Sequence, residues 1–209
     1  MTHRRLPFSV AMALATVAAL GGAWGPHHAA THPVTAAPAQ AGTLLPSGSL
    51  YALPMRFTAH DGTPLDFASL RGAPVVLAMV YTSCTMTCPV ITGEMQAVQL
   101  MLPPAVRART RFVLASFDPA RDSVPRMRAF AARMQLDDHW RVIAGPPAIT
   151  RRLAVLLGVS YRQLPSGDFD HSNQITVLDA DGVPRHQEVR IPADRARLAR
   201  AIIDIASPN

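Results

Sequence analysis

One stretch constrains this chain more than any other: residues 74–102, PVVLAMVYTSCTMTCPVITGEMQAVQLML. It opens with an apolar run, residues 74–81, short, continuous and rich in branched side chains, the pattern of a buried strand. The run breaks at Thr82 and Ser83. The only two cysteines of the chain follow, Cys84 and Cys88, with Pro89 directly behind them. Proline is tolerated in a first helical turn, where its missing N–H had no partner to lose. Beyond it Ile91, Met95, Val98 and Leu102 recur at helical spacing. The chain must therefore fold so that a cysteine pair sits where a strand hands over to a helix.

That position has chemistry in it. Backbone N–H groups at a helix N-terminus favour negative charge, which lowers a thiol pKa and populates the thiolate. On one helical turn, residues four apart share a face with Cα atoms about 6 Å apart, inside the disulfide range of roughly 4.4–6.8 Å. Two thiolates that close are also a soft ligand pair suited to Cu(I). The plain alternative is a structural disulfide in an exported protein. Closing so short a loop removes little unfolded-state entropy, so the context favours a functional pair, redox-active, copper-binding or both.

The 209 residues, 49% hydrophobic and 16% charged, suit one globular domain with additional segments. A net charge of +6 invites a nucleic-acid reading. All twenty basic residues are arginine, however, and they are spread along the chain; without Arg4 and Arg5 the net charge is +4. No nucleic-acid motif is present, and a solvated basic surface is the better account. Residues 1–24 have the layout of a signal peptide or N-terminal membrane anchor: basic start, apolar residues 6–23, then Gly21, Gly22 and Ala23 as a cleavage site. No cysteine follows to carry a lipid. Export to a bacterial periplasm, or to the outer face of the cytoplasmic membrane, is expected. Residues 25–50 are rich in Ala, Pro, Thr and Gly without periodicity, and read as a flexible linker. His27, His28 and His32 lie in it; chance placement outweighs a metal-collecting tract.

Residues 51–209 are expected to form the folded domain. Asp61 and Gly62 between residues 55–59 and 64–67 read as an N-terminal hairpin. After the cysteine helix, Pro103 and Pro104 stop it, and residues 111–117 form the next strand. Asp118 and Pro119 begin a loop, and Asp122 or Ser123 caps a helix to about Met134. Residues 140–144 form a short strand, and a helix then ends at Gly158. A polar loop holds Asp168, Asp170 and His171. Residues 174–178 and 183–189 are strands around a tight turn, and residues 193–206 close the chain as a helix. Strands alternating with helices make an α/β sheet, and such sheets bind ligands at the carboxyl ends of central strands. Cys84 and Cys88 occupy one such end.

Of the eight histidines, His60, His139 and His186 have bland positions beside a turn, before a strand and on an outer strand. His171 differs, in a polar loop just before a strand; on its own it reads as a surface loop residue. Three segments change that. YTSCTMTCP at 81–89, SFDPARDSVPRM at 116–127 and DHSNQITVLDADG at 170–182 resemble, in order and spacing, the Sco/SenC family of copper chaperones. The resemblance spans about residues 52–206. It implies a thioredoxin-like fold, a central mixed sheet flanked by helices, here with the extra N-terminal hairpin. It implies that Cys84, Cys88 and His171 bind one copper as Cu(I) or Cu(II). It further implies an N-terminal membrane anchor and delivery of copper to the CuA centre on cytochrome c oxidase subunit II, or to another cuproprotein client. Two thiolates and a neutral imidazole suit trigonal Cu(I), whereas structural zinc wants four ligands. The cysteines must be reduced before copper binds, so a thiol–disulfide reductant is an expected partner.

The chain also departs from that family. Pro and an acidic residue often follow the first cysteine there; here Thr85 and Met86 do. Met86 reads first as an exposed partner contact or a residue without a role, and second as a soft donor that visits copper. Asp118 and Asp122 are accounted for by turn and capping roles. The competing function is a thiol–disulfide oxidoreductase using Cys84 and Cys88 as its catalytic redox pair on client cysteines. Peroxidase activity has no dedicated motif behind it.

Overall fold

The computed structural model describes residues 44–207. The expected leader, most of the linker and His27, His28 and His32 lie outside the described residues. No helix among the described residues is long and apolar enough to cross a membrane.

The sheet is built around the apolar run identified above. In order along the chain come β1 (Arg56–Ala59), β2 (Pro64–Asp66), β3 (Val75–Val80), α1 (Thr87–Met101), α2 (Pro104–Arg109), β4 (Arg111–Ser116) and α3 (Val124–Arg133). Then follow β5 (Trp140–Ala144), α4 (Pro147–Leu157), β6 (Tyr161–Gln163), β7 (Phe169–His171), β8 (Ile175–Leu178), β9 (Pro184–Glu188) and α5 (Arg195–Ala206). Seven strands form one sheet in the order β2-β1-β5-β4-β3-β8-β9. β3 runs parallel to β4, and β4 to β5, while β1, β8 and β9 join antiparallel, so the sheet is mixed. All six residues of β3 are buried, which is why it needs an unbroken apolar run rather than an alternating one. β4 buries five of its six residues. Helices α1 and α5 pack on one another, and α3 packs on β1 and β5.

The N-terminal hairpin forms where Asp61 and Gly62 mark it: Asp61 accepts from the Thr63 amide at 2.9 Å, and Gly62 has φ +91°. Pro103 and Pro104 end α1 as expected, but the chain turns at once into the short helix α2, which periodicity did not show. Gly158 ends α4 in the left-handed conformation, φ 73°.

Three local expectations need correction. Residues 160–172 are not a plain loop. They hold a two-stranded ribbon in which Tyr161 pairs with His171 and Gln163 with Phe169. Asp122 and Ser123 do not cap α3 through their side chains: Ser123 stands at the N-cap without a side-chain cap bond, and the Asp122 carboxylate is engaged elsewhere. The folded body also reaches further back than residue 51. The Ser49 hydroxyl accepts from the Tyr51 amide at 3.2 Å, the Leu50 amide donates to Gly182 at 3.0 Å, and Leu50 is 3% exposed.

Candidate metal centre

β3, a central strand, delivers the cysteines to the carboxyl end of the parallel strands. Tyr81 and Thr82 follow its last residue, and Cys84 lies in the turn before α1 rather than on the helix. Cys88 is in the first helical turn, with Pro89 next, where no helical hydrogen bond is lost. Both thiols are free and buried, Cys84 at 6% exposure and Cys88 at 0%. The Cys88 amide, one of the unpaired donors of the first turn, points at the Cys84 sulfur at 3.4 Å. Met86 at the N-cap makes no side-chain cap bond. The Cys84 sulfur therefore serves as a cap acceptor from outside the helix.

This geometry separates the two thiols. Burial works against ionising Cys84, but the Cys88 amide and thiol, the Met86 amide and the Thr87 hydroxyl outweigh it, lowering its pKa from 9.0 to about 7. Burial drives Cys88 the other way, well above the ordinary thiol value, reinforced by the neighbouring Cys84 and by Asp122. At neutral pH the site holds one thiol poised for ionisation and one buried proton donor.

The turn carrying Cys84 is held from below. Asp122, 2% exposed, accepts from the Thr82 amide at 3.0 Å, the Thr82 hydroxyl at 2.5 Å and the Ser116 hydroxyl at 2.6 Å. Its carboxylate thus joins the end of β3 to the end of β4. Its neighbour Arg121 pairs with the buried Asp118, donates to the Gly167 carbonyl at 2.6 Å and lies 5.5 Å over the Phe169 ring. The segment containing Asp118, Arg121 and Asp122 is accordingly a bridge. One end secures the cysteine turn; the other secures the β6–β7 ribbon that carries His171.

His171 is half-buried at the end of β7, its Nδ1 3.2 Å from the Ser172 carbonyl. Its ring packs on Phe117 at 4.9 Å and meets Tyr81 edge-on at 6.1 Å. Tyr81 lies between the histidine and the cysteines: burial, followed by the nearby Cys84 sulfur, pushes its pKa up to about 12. Tyr81, Phe117, Tyr161 and Phe169 form the aromatic wall on which His171 rests. The structure brings His171 within one aromatic ring of Cys84. It does not gather the three predicted ligands: among the described residues no three His, Cys, Asp or Glu side chains converge as a metal site.

Two hollows flank the site. One is lined by Thr82, Ser83, Cys84, Thr85, Pro89 and Arg133, and the other lies over His171 and Tyr161. A further hollow of about 540 Å³, between β1 and the start of α3, has neither cysteine nor His171 in its lining. Tyr81, Arg121 and Asp122 are site residues that sequence reasoning missed. Asp122 had one signal, an aspartate in a segment whose spacing to the cysteines matched a family. Tyr81 and Arg121 lie in such segments too, Tyr81 as the first residue of YTSCTMTCP, but nothing local in the sequence gave either a role.

A mixed sheet flanked by helices, with a CxxxC pair at the carboxyl end of a central strand, defines a thioredoxin-like protein with a redox or soft-metal site. Comparison with known proteins narrows this. The SCO1/SenC family profile matches residues 46–206, and the chain belongs to that family. The structure of Bradyrhizobium japonicum ScoI with copper bound superposes with a TM-score of 0.64 at 22% identity, covering 73% of this chain and 98% of that one. BsSco, described as a member of the Sco family of cytochrome c oxidase assembly proteins with a disulfide switch, gives 0.65 at 21% identity over 75% and 94%. A Stutzerimonas stutzeri protein named "Putative copper-binding protein" is 25% identical over 150 residues, 70% of this chain and 72% of that one. The two structural likenesses establish the thioredoxin-like fold.

Proposed function

We propose that this protein is an exported copper chaperone that carries one copper on Cys84, Cys88 and His171 and supplies a CuA-type client such as cytochrome c oxidase subunit II. The observation that carries the reading is the pair of buried sulfurs at the carboxyl end of β3, one held near its ionisation point by the α1 amides. Family membership and the copper-bound relative support it. Deprotonated sulfur is the state that binds copper, and binding releases the proton of the second thiol. The imidazole of His171 would complete a trigonal Cu(I) site and, with a weaker fourth donor, accept Cu(II). For that, the Tyr81 ring must yield and the His171 side chain must turn toward the sulfurs. The basic, apolar N-terminal segment supports export and tethering to the membrane.

Anaerobic titration of the reduced protein with Cu(I) against a competing chelator tests this. One tightly held copper per chain is expected. Cys84→Ser and Cys88→Ser should each abolish it, because a protonated hydroxyl does not replace a thiolate. His171→Ala should weaken it while leaving disulfide formation intact. A His171→Ala variant with wild-type affinity and spectrum would remove the histidine from the site.

The unequal thiols also favour a second reading, a thiol–disulfide oxidoreductase. There Cys84 attacks a client disulfide as thiolate, and the buried Cys88 then resolves the mixed disulfide. Reduction of a model disulfide by a protein that holds no copper would select it.

A further inference from the structure

We infer that Met86 is the exchange ligand through which Cu(I) enters and leaves the Cys84–Cys88 pair. The inference rests on the copper-carrying reading above and assigns the route of that same site. The reasoning starts from burial. Cys88 is 0% exposed and Cys84 6%, whereas Met86, in the turn between them, is 77% exposed. Passing a soft ion between proteins by ligand exchange requires a bond to the incoming donor before the last bond to the old one breaks. Cys88 is closed to a second protein, and Cys84 reaches the surface only through the hollow lined by Thr82, Thr85, Pro89 and Arg133, so a soft donor on the surface gives the ion its first bond outside the buried pair.

Among the described residues Met86 alone fills that place. Met55, Met79, Met95 and Met127 are buried in the core, and Met134 is half-buried and packed against it. Met101 is exposed but ends the 15-residue helix α1, roughly 20 Å away at 1.5 Å per residue. The local sequence points the same way. Met86 stands at the N-cap, where Ser, Thr, Asp or Asn would each cap the helix, and its side chain forms no cap bond. Its amide is on the side of the Cys84 sulfur, and its side chain stands in solvent. A thioether is soft, uncharged at every pH and a weak ligand, so it binds Cu(I) without a proton to lose and releases it readily.

The step is an exchange without electron transfer. Copper stays Cu(I). The Met86 thioether donates a lone pair to copper as the Cu–Sγ bond to Cys84 lengthens. That bond then breaks with its electron pair on sulfur, and Cys84 takes a proton from water. The acceptor's sulfur or nitrogen donors then displace the thioether, the His171 imidazole and the Cys88 sulfur, which keeps its electron pair and takes a proton from water.

Met86→Leu keeps size and apolar character and removes the donor, which separates this role from an apolar contact with a partner. Its equilibrium Cu(I) affinity should stay within about threefold of wild type, because a weak further donor adds little to two thiolates and an imidazole. Its rate of copper transfer to a small-molecule Cu(I) chelator, which has no docking surface, should fall by about tenfold or more. In wild type labelled at the methionine methyl carbons, the Met86 resonance should shift on Cu(I) loading and broaden as chelator is added. A Met86→Leu protein that transfers at the wild-type rate, or a Met86 resonance indifferent to copper, overturns the inference and leaves the copper site standing. A wild-type protein that binds no Cu(I) overturns both.

Discussion

Cys84 and Cys88 differ by four positions and almost no exposure, yet their protons behave oppositely. The cause is direction: the first-turn amides of α1 aim at one sulfur, and the core surrounds the other. A depressed thiol pKa means the thiolate fraction of Cys84 rises through neutrality, half-complete near pH 7. Alkylation of the reduced protein by iodoacetamide should follow that curve at Cys84. Cys88 should remain unmodified through pH 9, and peptide mass mapping across pH distinguishes them. Equal labelling at both positions would mean that the amides do not hold the sulfur. Asp122 makes the second residue-scale case. Asp122→Ala strips the Thr82 amide, the Thr82 hydroxyl and the Ser116 hydroxyl of their acceptor in a buried place. Leaving such donors unpaired should cost on the order of 3–5 kcal/mol in urea unfolding of the reduced protein. The plain capping role read from sequence predicts about 1 kcal/mol.

At the scale of elements, the β6–β7 ribbon and the turn after β8 carry the most information that periodicity missed. Three-residue strands are too short to show alternation, so the ribbon around Gly167 read as loop. What orders it is long-range: Arg121 reaching the Gly167 carbonyl, and Tyr81 and Phe117 packing on Phe169 and His171. The turn at residues 179–182 was visible as a turn, but its second duty was not. Gly182, φ +80°, lies so close to Tyr51 that an added Cβ would stand 2.5 Å from its ring. Its carbonyl also accepts the Leu50 amide. Gly182→Ala should therefore lose roughly 2–4 kcal/mol, from the left-handed backbone and the overpacked ring together. A melting shift no larger than that of an exposed loop substitution would show that Tyr51 moves aside freely.

At the scale of the molecule, the question is where the autonomous domain starts. Compositional reasoning placed a linker through residue 50, because Ala, Pro and Gly predominate until then. Ser49 and Leu50 nevertheless belong to the folded body, the first capping the turn at Leu50–Ala52 and the second filling the core beside it. A chain beginning at residue 44 should melt like the full-length protein and keep its copper stoichiometry. A chain beginning at residue 51 loses one buried leucine and one cap, and should be less stable by roughly 2–4 kcal/mol. Parallel denaturation of the two truncations decides the boundary. Equal stability would return residues 44–50 to the linker.

What the sequence by itself determined were features written in consecutive residues. The apolar run of β3, the cysteines at its end, the proline beyond them, the Asp61–Gly62 turn and the stop at Gly158 each rest on local chain geometry. Local patterns carry such features because a few neighbouring residues are enough to form or break them. Only the tertiary structure decided what Asp122 holds, what Arg121 ties down and how near His171 comes to the sulfurs. Thr82 meets Asp122 across 40 positions and Arg121 meets Gly167 across 46. Nothing in the spacing of either segment specifies such a partner. A buried carboxylate looks like any capping aspartate until the sheet has brought the ends of β3 and β4 side by side, and then burial leaves it no acceptable state except bonded to both.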